Sequence, residues 1–427
     1  MPAAGHRSDS QVAFCSKCST FFRPLLQEAD CGHSKQHNLA NDDTGFDAEM
    51  EPDLSEMEDQ IEQLGRAIER LQEQRALACR ERNRHIPMAR LPVEIMMEIF
   101  MWGFVSSYKE EKATEPTTFP LRLGKVCYDW RHIAWRMPGL WSFFHLRISR
   151  RRSTFQADLL SEWLDRSQPR LLSLNLSVED EDSWTKSPDV PTGIIDTLIA
   201  HSVRWRRLSL VLPECWYGRI AEVRGRIQNL KSLAIRPPGC VFINKTVDAF
   251  VDAPSLKSLH VSHTYLSDLR FPWLQLTSVA LGTASTDEAL ELIRRCPNLA
   301  TCHFQDLNEL EANFPADIVM HSRLEFLEVS LHASAILEDL LIYLVLSHLS
   351  RLTLTLPEGH PPPIPVIEAF LERSPCPLKE LTIIGPYISE QDIITFLTYN
   401  NSVTDLTAKP TTPPDRDIQG EIQEPST

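Results

Sequence analysis

The segment between residues 91 and 141 carries two apolar stretches with helical spacing. Residues 91–100 read LPVEIMMEIF, residues 123–134 read LGKVCYDWRHIA, and residues 138–141, PGLW, follow as a closing turn. Leu91-Pro92 is a suitable helix start, because the amide that proline lacks would be unpaired in a first turn anyway. The pattern predicts two short amphipathic helices and a turn, which together form a small helical bundle.

Both helices have an apolar face, and the sequence alone assigns that face to burial and to no particular use. In the first helix Ile95, Ile99 and Trp102 lie three to four residues apart, with Met96 beside them. A polar loop is expected from Gly103 to Phe119. In the second half the apolar stripe consists of Leu123, Val126, Cys127, Trp130, Ile133 and Ala134.

The order of these residues resembles an F-box over Ile86 to Leu146. The resemblance implies that the segment binds the Skp-type adaptor of a cullin-type ubiquitin ligase, with apolar anchors in a groove as the expected mode. The implied adaptor-binding residues are Leu91, Pro92, Ile95, Ile99, Val126, Cys127 and Trp130. The polar insertion after Trp102 departs from the shortest form of the family.

Residues 54–84, upstream of this segment, show the apolar spacing of a heptad seam. Its positions are Leu54, Met57, Ile61, Leu64, Ile68, Leu71 and Ala78, and Arg75 interrupts them. Two interpretations remain: a short coiled coil that associates with a second copy, or a helix docked on its own F-box. An upstream coiled coil together with the Pro-Gly-Leu-Trp ending is similar to a large fungal class of F-box proteins.

Beyond residue 146 an apolar triplet recurs ten times. The triplets are Leu171/Leu174/Leu176, Trp205/Leu208/Leu210, Leu230/Leu233/Ile235, Leu256/Leu259/Val261, Leu276/Val279/Leu281, Leu299/Cys302/Phe304, Leu324/Leu327/Val329, Leu349/Leu352/Leu354, Leu378/Leu381/Ile383 and Val403/Leu406/Ala408. They resemble leucine-rich repeats, whose period is about 20–29 residues. The fold class expected for the chain is α/β with an all-α N-terminal part. Residues 147–408 are predicted to form an irregular leucine-rich-repeat-like solenoid of parallel short strands with outer helices.

Some features of the repeats leave room for another interpretation. The Asn that usually follows the strand in this family is absent, and Pro238, Thr264, Leu307 and Pro386 stand there instead. A set of independent β-α units in an α/β domain is the alternative. Ser285 with Glu288 predicts a capped helix that Pro297 ends, and Ser389 to Leu397 repeats the arrangement. By alternation, the polar candidates on the strand face are Ser258, His260, Ser278, Glu325 and Glu328.

The two ends of the chain, residues 1–53 and 409–427, have compositions that favour disorder. Cys15 and Cys18, followed by His33 and His37, have almost the ligand order of a two-Cys, two-His zinc site. The fourteen residues between Cys18 and His33 exceed the usual twelve, and Cys31 is a competing ligand. A tail that merely contains thiols and imidazoles is the alternative interpretation.

Composition restricts the classes of function. A net charge of −15 argues against a chain whose main role is to bind nucleic acid. The sequence contains no apolar run long enough to cross a membrane and no secretory signal, so a cytoplasmic or nuclear location is expected. No motif for phosphate binding, nucleophilic catalysis or zinc proteolysis is found, and neither a cofactor nor enzymatic activity is predicted.

Three functions remain open at this point. The first is a substrate receptor of a cullin-RING (SCF-type) ubiquitin ligase, which holds an unknown target protein on its repeats. The second is a non-catalytic scaffold whose helical bundle has no adaptor. The third, a nucleic-acid factor that uses the N-terminal Cys/His cluster, requires bound zinc and salt-dependent binding.

Overall fold

The structure, a computed structural model, describes residues 13–15, 20–22, 54–110, 118–181, 184, 189–311, 313–357, 363–385 and 387–409. The chain divides into two compact units. We call residues 1–100 with 120–135 the helical unit, and residues 101–119 with 136–427 the sheet unit. The fold is α/β, with a helical N-terminal part and a C-terminal sheet of parallel strands, as the sequence predicts.

The described residues of the N-terminal part are mainly helical. The helices are α1 (Leu54–Arg84), α2 (Val93–Glu110), α3 (Phe119–Val126) and α4 (Tyr128–Trp135). A 3-10 turn at Pro87–Arg90 precedes α2, and the predicted closing turn is a 3-10 turn at Pro138–Trp141. Two three-residue strands, β1 (Ala13–Cys15) and β2 (Thr20–Phe22), pair antiparallel nearer the N-terminus, where the sequence predicts no element.

The loop predicted from Gly103 to Phe119 is wrong over residues 103–110, because α2 continues to Glu110, and its residues 111–117 lie outside the described part of the chain. In this second half of α2 the ring of Phe104 packs on Phe119, with centroids 5.9 Å apart. A Cβ atom on Gly103 would lie only 3.0 Å from the Phe119 ring. Gly103, at which the sequence predicts the end of the helix, therefore lies inside the helix and permits the close approach of the Phe119 ring.

The apolar stretch from Leu123 to Trp135 forms two helices instead of one. The break falls at Cys127, whose Sγ accepts a hydrogen bond from the Trp130 amide at 3.5 Å. The Arg131 Nε donates to the Gly124 carbonyl at 2.8 Å, which satisfies one of the free carbonyls at the end of α3. Side-chain capping on both sides of the break accounts for the division into α3 and α4.

The sheet unit is built on one long sheet of parallel strands that follow each other in chain order. The strands are β3 (Phe143–Ile148), β4 (Leu172–Val178), β5 (Trp205–Val211), β6 (Ser232–Arg236), β7 (Ser258–Val261), β8 (Ser278–Leu281), β9 (Ala284–Ser285), β10 (Thr301–Asn308), β12 (Phe326–Leu331), β14 (Arg351–Thr355), β15 (Glu380–Ile384) and β16 (Asp405–Lys409). A separate parallel pair joins β11 (Val319–His321) and β13 (Leu344–Leu346).

The core of the sheet unit lies on one face of this sheet. The last two residues of all ten predicted triplets lie in strands, and from β4 to β15 they are buried. This agreement follows from the two-residue period of a strand, which places alternate side chains on one face. The sheet also contains a strand that the triplets do not predict, β3, whose Phe144, Leu146 and Ile148 are buried and which pairs with β4.

Helices connect several strands of the sheet unit in the part of the chain that the structure describes. They are α5 (Ser153–Arg166), α6 (Thr192–Ala200), α7 (Tyr217–Ile220), α8 (Thr286–Arg295), α9 (Ser334–Ile342), α10 (Ile364–Arg373) and α11 (Glu390–Tyr399). Helices were also expected between β6 and β8, but the connections there contain only 3-10 turns, at Pro238–Cys240, Leu266–Asp268 and Trp273–Gln275. Prolines at 237, 238 and 272 lack the amide that a longer helix needs.

Buried carboxylates at the start of α8 have a structural role. Glu288 accepts a hydrogen bond from the Ser285 amide at 3.2 Å, the return bond of the predicted capping box. Asp287 accepts from the amides of Glu311 and Phe314 at 3.0 and 2.9 Å. Burial would raise the pKa of Asp287, but the hydrogen bonds that its carboxylate accepts outweigh burial and hold the pKa below its ordinary value. Both acids tie neighbouring loops to α8.

Candidate functional site

Helix α2 has two apolar stripes with different environments. Met96 and Phe100 are buried, at 3% and 1% exposure. Ile95 and Ile99 precede them by one residue each and are 47% and 40% exposed. One residue corresponds to about 100° around a helix, so the isoleucines lie on a different face from the buried pair. The core of the unit uses one stripe and leaves the other in contact with solvent.

The buried stripe is held by the second half of the unit. The ring of Phe100 packs on the ring of Trp130, with centroids 4.9 Å apart and planes tilted by 58°. Leu123 and Ala134 are buried as well. A Cβ on Gly124 would collide with the Trp135 ring at 2.4 Å, so only glycine permits this approach of α3 and α4. Packing of α2 against α3 and α4 therefore fixes which stripe is free.

The structure places the seven predicted adaptor-binding residues in one compact unit, with two kinds of environment. Five are exposed, and we call them the candidate surface: Leu91, Pro92, Ile95, Ile99 and Val126. Their apolar members are substantially accessible, Val126 the most at 59%. The other two, Cys127 and Trp130, are half-buried. Since Cys127 caps α4 and Trp130 packs on Phe100, these two have structural contacts of their own.

Helices α2 and α4 also carry exposed apolar residues that are not among the predicted adaptor-binding ones. Val93 and Met97 are 48% and 37% exposed, on the side of the buried stripe away from Ile95 and Ile99. Tyr128 is 46% exposed, and the guanidinium of Arg80 lies over its ring at 4.0 Å. The four-residue interval between Val93 and Met97 is the signal that could have identified them in the sequence. Apolar exposure therefore extends around much of the start of α2.

The chemistry of the candidate surface is that of binding. It consists of aliphatic side chains and a proline ring, which offer no nucleophile, general base or metal ligand. Among the described residues, no three His, Cys, Asp or Glu side chains are grouped so that they could hold a metal ion. The zinc candidates Cys18, His33 and His37 lie outside the described residues, and of Cys15 only the backbone, in β1, is described.

The polar candidates on the sheet fall into two groups. Ser258, Ser278 and Glu328 occupy the strand positions that alternate with buried residues, and His260 occupies an exposed position of the same kind. Glu325 lies before the start of β12 and is not part of that strand. Glu328 has a partner already, because its Oε2 lies 2.8 Å from Nδ1 of His303 on the neighbouring strand. These residues share one side of the sheet, and no further feature distinguishes them as a site.

Comparison with known proteins gives no family assignment: no protein-family model matches the chain, and no curated protein matches it. None of the helices in the described part of the chain combines the length and the apolar character needed to span a bilayer. The exposed apolar side chains of the helical unit are therefore the feature on which a function can be based.

Proposed function

We propose that this protein is the substrate-recognition subunit of a cullin-RING (SCF-type) ubiquitin ligase. In this proposal the helical unit binds a Skp-type adaptor through the candidate surface, and the sheet unit binds a target protein. The observation that carries the proposal is the exposure of Ile95 and Ile99 on a helix whose adjacent stripe, Met96 and Phe100, is buried. The sequence around these residues is the part that resembles an F-box.

Apolar side chains at these positions favour a protein partner. Single exposed apolar residues are common on protein surfaces, whereas a group of large ones in a small unit is typical of an interaction site. Burying an Ile side chain gains about 1.5–3 kcal/mol, so a groove that covers Ile95, Ile99 and Val126 would supply a substantial part of a micromolar affinity. Apolar anchors on short helices are the usual means by which a groove recognises a helical partner.

For the sheet unit we propose a leucine-rich-repeat-like architecture. The strands of the long sheet are parallel and follow each other in chain order, and all of them except β3 and β9 carry one apolar triplet. In a doubly wound α/β domain the strand order reverses at a switch point, which makes the strictly sequential order more compatible with stacked repeats. A long sheet with a solvent-facing side provides the area that a protein target requires.

The contribution of such a subunit to ubiquitin transfer is proximity. A receptor without catalytic residues raises the effective concentration of a target lysine near a charged conjugating enzyme. The chain itself would bind adaptor and target and take no part in bond making. A cytoplasmic or nuclear location is consistent with this role.

Co-purification with a purified Skp-type adaptor tests the proposal. The wild-type full chain is expected to retain the adaptor through size-exclusion chromatography, and Val126→Asp is expected to lose it, because a buried carboxylate without a partner is costly. Leu274→Asp is the matched control, since Leu274 is 71% exposed in the sheet unit. This control should retain the adaptor.

A folded wild-type chain that does not retain the adaptor would contradict the proposal. The scaffold interpretation would then account for the helical unit, with its exposed apolar residues directed to another protein. Circular dichroism on all three proteins shows whether each is folded before the result is interpreted.

A further inference from the structure

The long helix α1 exposes its apolar seam from Met57 to Leu71. Met57 is 44% exposed, and Ile61, Leu64, Ile68 and Leu71 are between 54% and 68% exposed. They occupy alternating three- and four-residue intervals on a single helix of 31 residues. An aliphatic stripe of this length, open to water, is the surface that a second helix covers in a coiled coil.

The helical unit itself leaves this seam uncovered. Near the end of α1, Arg80 stacks on Tyr128 of α4, which attaches the last turns of the helix to the unit. The seam residues Met57 to Leu71 precede that attachment and remain exposed. Docking of α1 on its own helical unit is thus restricted to the C-terminal end of the helix. Helices owe most of their stability in proteins to packing of an amphipathic face, so a second helix would stabilise α1 considerably.

We propose that two copies of this chain associate through α1 and that the two helices run antiparallel. The distribution of charge along α1 favours the antiparallel orientation. Its first turns contain the acids Glu56, Glu58, Asp59 and Glu62 and no base, whereas the part from residue 66 onward contains Arg66, Arg70, Arg75, Arg80, Arg82 and Arg84 and only three acids. An antiparallel pair places the acidic end of each helix along the basic end of the other.

The seam residue Arg75 supports the same orientation. In a parallel pair each core layer contains the same residue from both copies, so two arginines would be buried against each other, which is unfavourable. In an antiparallel pair centred between Leu64 and Ile68, each core layer joins different positions. Arg75 then lies beside Met57 of the second copy, whose neighbours Glu56 and Glu58 can accept hydrogen bonds from its guanidinium.

Gly65 provides an independent observation. A glycine inside a helix costs about 1 kcal/mol relative to alanine. A Cβ on Gly65 would meet nothing within 4 Å, so packing within the chain does not require glycine here. In the antiparallel register the Gly65 of each copy lies level with Ala67 of the other, next to the centre of the pair. Glycine permits close approach of the two backbones at that point.

Disulfide cross-linking of the full chain tests both association and orientation. In a Cys79→Ser background, Met57→Cys and Arg75→Cys are made separately and carry tags of different size. After mixing and mild oxidation, the antiparallel pair predicts one product that joins a Met57→Cys chain to an Arg75→Cys chain. Neither variant should cross-link to itself at the introduced cysteine, because those positions lie at opposite ends of the pair. The Cys79→Ser parent measures background from the native thiols.

Light scattering, as a separate experiment, measures the mass of the protein in solution. The wild-type chain is expected at twice its monomer mass, and Leu64→Asp should raise the dissociation constant about a hundredfold. Gln63→Asp is the matched control, since Gln63 is exposed beside the seam, and it should stay dimeric. Self-linked Met57→Cys chains would overturn the antiparallel orientation, and a monomeric wild-type chain would overturn the association itself. Neither result depends on adaptor binding, so this inference and the proposed function are tested separately.

Discussion

A chain that carries Ile95→Asp together with Ile99→Asp is expected to bind the Skp-type adaptor at least about a thousandfold more weakly than the wild type. Each substitution removes about 1.5–3 kcal/mol of binding free energy from apolar burial. Each also places a carboxylate without a charged partner in an apolar groove, which is costly. A loss of about 1.4 kcal/mol corresponds to a factor of ten in affinity. Isothermal titration of purified adaptor into the full chain measures the change.

The same double variant is expected to remain folded. Both isoleucines are 40% or more exposed, and surface substitutions of this kind change the free energy of unfolding by about 0.5 kcal/mol or less. A charge-matched control is Val251→Asp with Leu274→Asp, two exposed apolar residues of the sheet unit, which should keep the wild-type dissociation constant. Equal weakening by both double variants would indicate a non-specific effect of charge and contradict the assignment of the surface.

Replacement of Phe100 by alanine is expected to destabilise the helical unit without removing a contact to the adaptor. Phe100 is 1% exposed and packs on Trp130 at 4.9 Å, so Phe100→Ala leaves a cavity and should lower the free energy of unfolding of the helical unit by about 3–5 kcal/mol. Urea unfolding followed by tryptophan fluorescence measures the loss. Adaptor binding would weaken only because a fraction of the helical unit is unfolded.

The conservative variant Phe100→Leu serves as the control for that result. It retains most of the apolar volume and should cost about 1–2 kcal/mol. A Phe100→Ala chain as stable as the wild type would mean that the α2 core does not depend on this ring. Together with the Ile95 and Ile99 variants, it separates the two stripes of one helix into a structural and a binding role.

The strands of the sheet could be predicted because their signal is local. Each buried strand needs apolar side chains at alternate positions, and this period is visible in a triplet such as Leu327 and Val329 without any knowledge of neighbours. The strand β3 was missed because its residues, Phe143–Ile148, directly follow the closing turn of the helical segment. The connections between β6 and β8 differ from the predicted helices because prolines at 237, 238 and 272 lack the amide that a longer helix needs.

The division of the F-box-like segment into core and surface could not be predicted from the sequence. Ile95 and Ile99 form one apolar stripe of α2, and Met96 and Phe100 form another at the same spacing. Which stripe is buried depends on where Trp130 and the small Gly124 bring α3 and α4 into contact, and this is tertiary information. The resemblance to a family selected Ile95 and Ile99 for binding, whereas periodicity assigned the face that carries them to burial, and in the structure both are exposed.

Hydrogen exchange of the full chain, with and without the purified Skp-type adaptor, shows directly whether the adaptor binds the helical unit. We expect the adaptor to slow exchange in peptides that cover residues 91–100 and 123–135, where the candidate surface and its supporting helices lie. Exchange in the parallel strands should be unchanged, because that face is assigned to a different protein. Absence of protection in the helical unit at saturating adaptor, or protection confined to the sheet, would contradict the account.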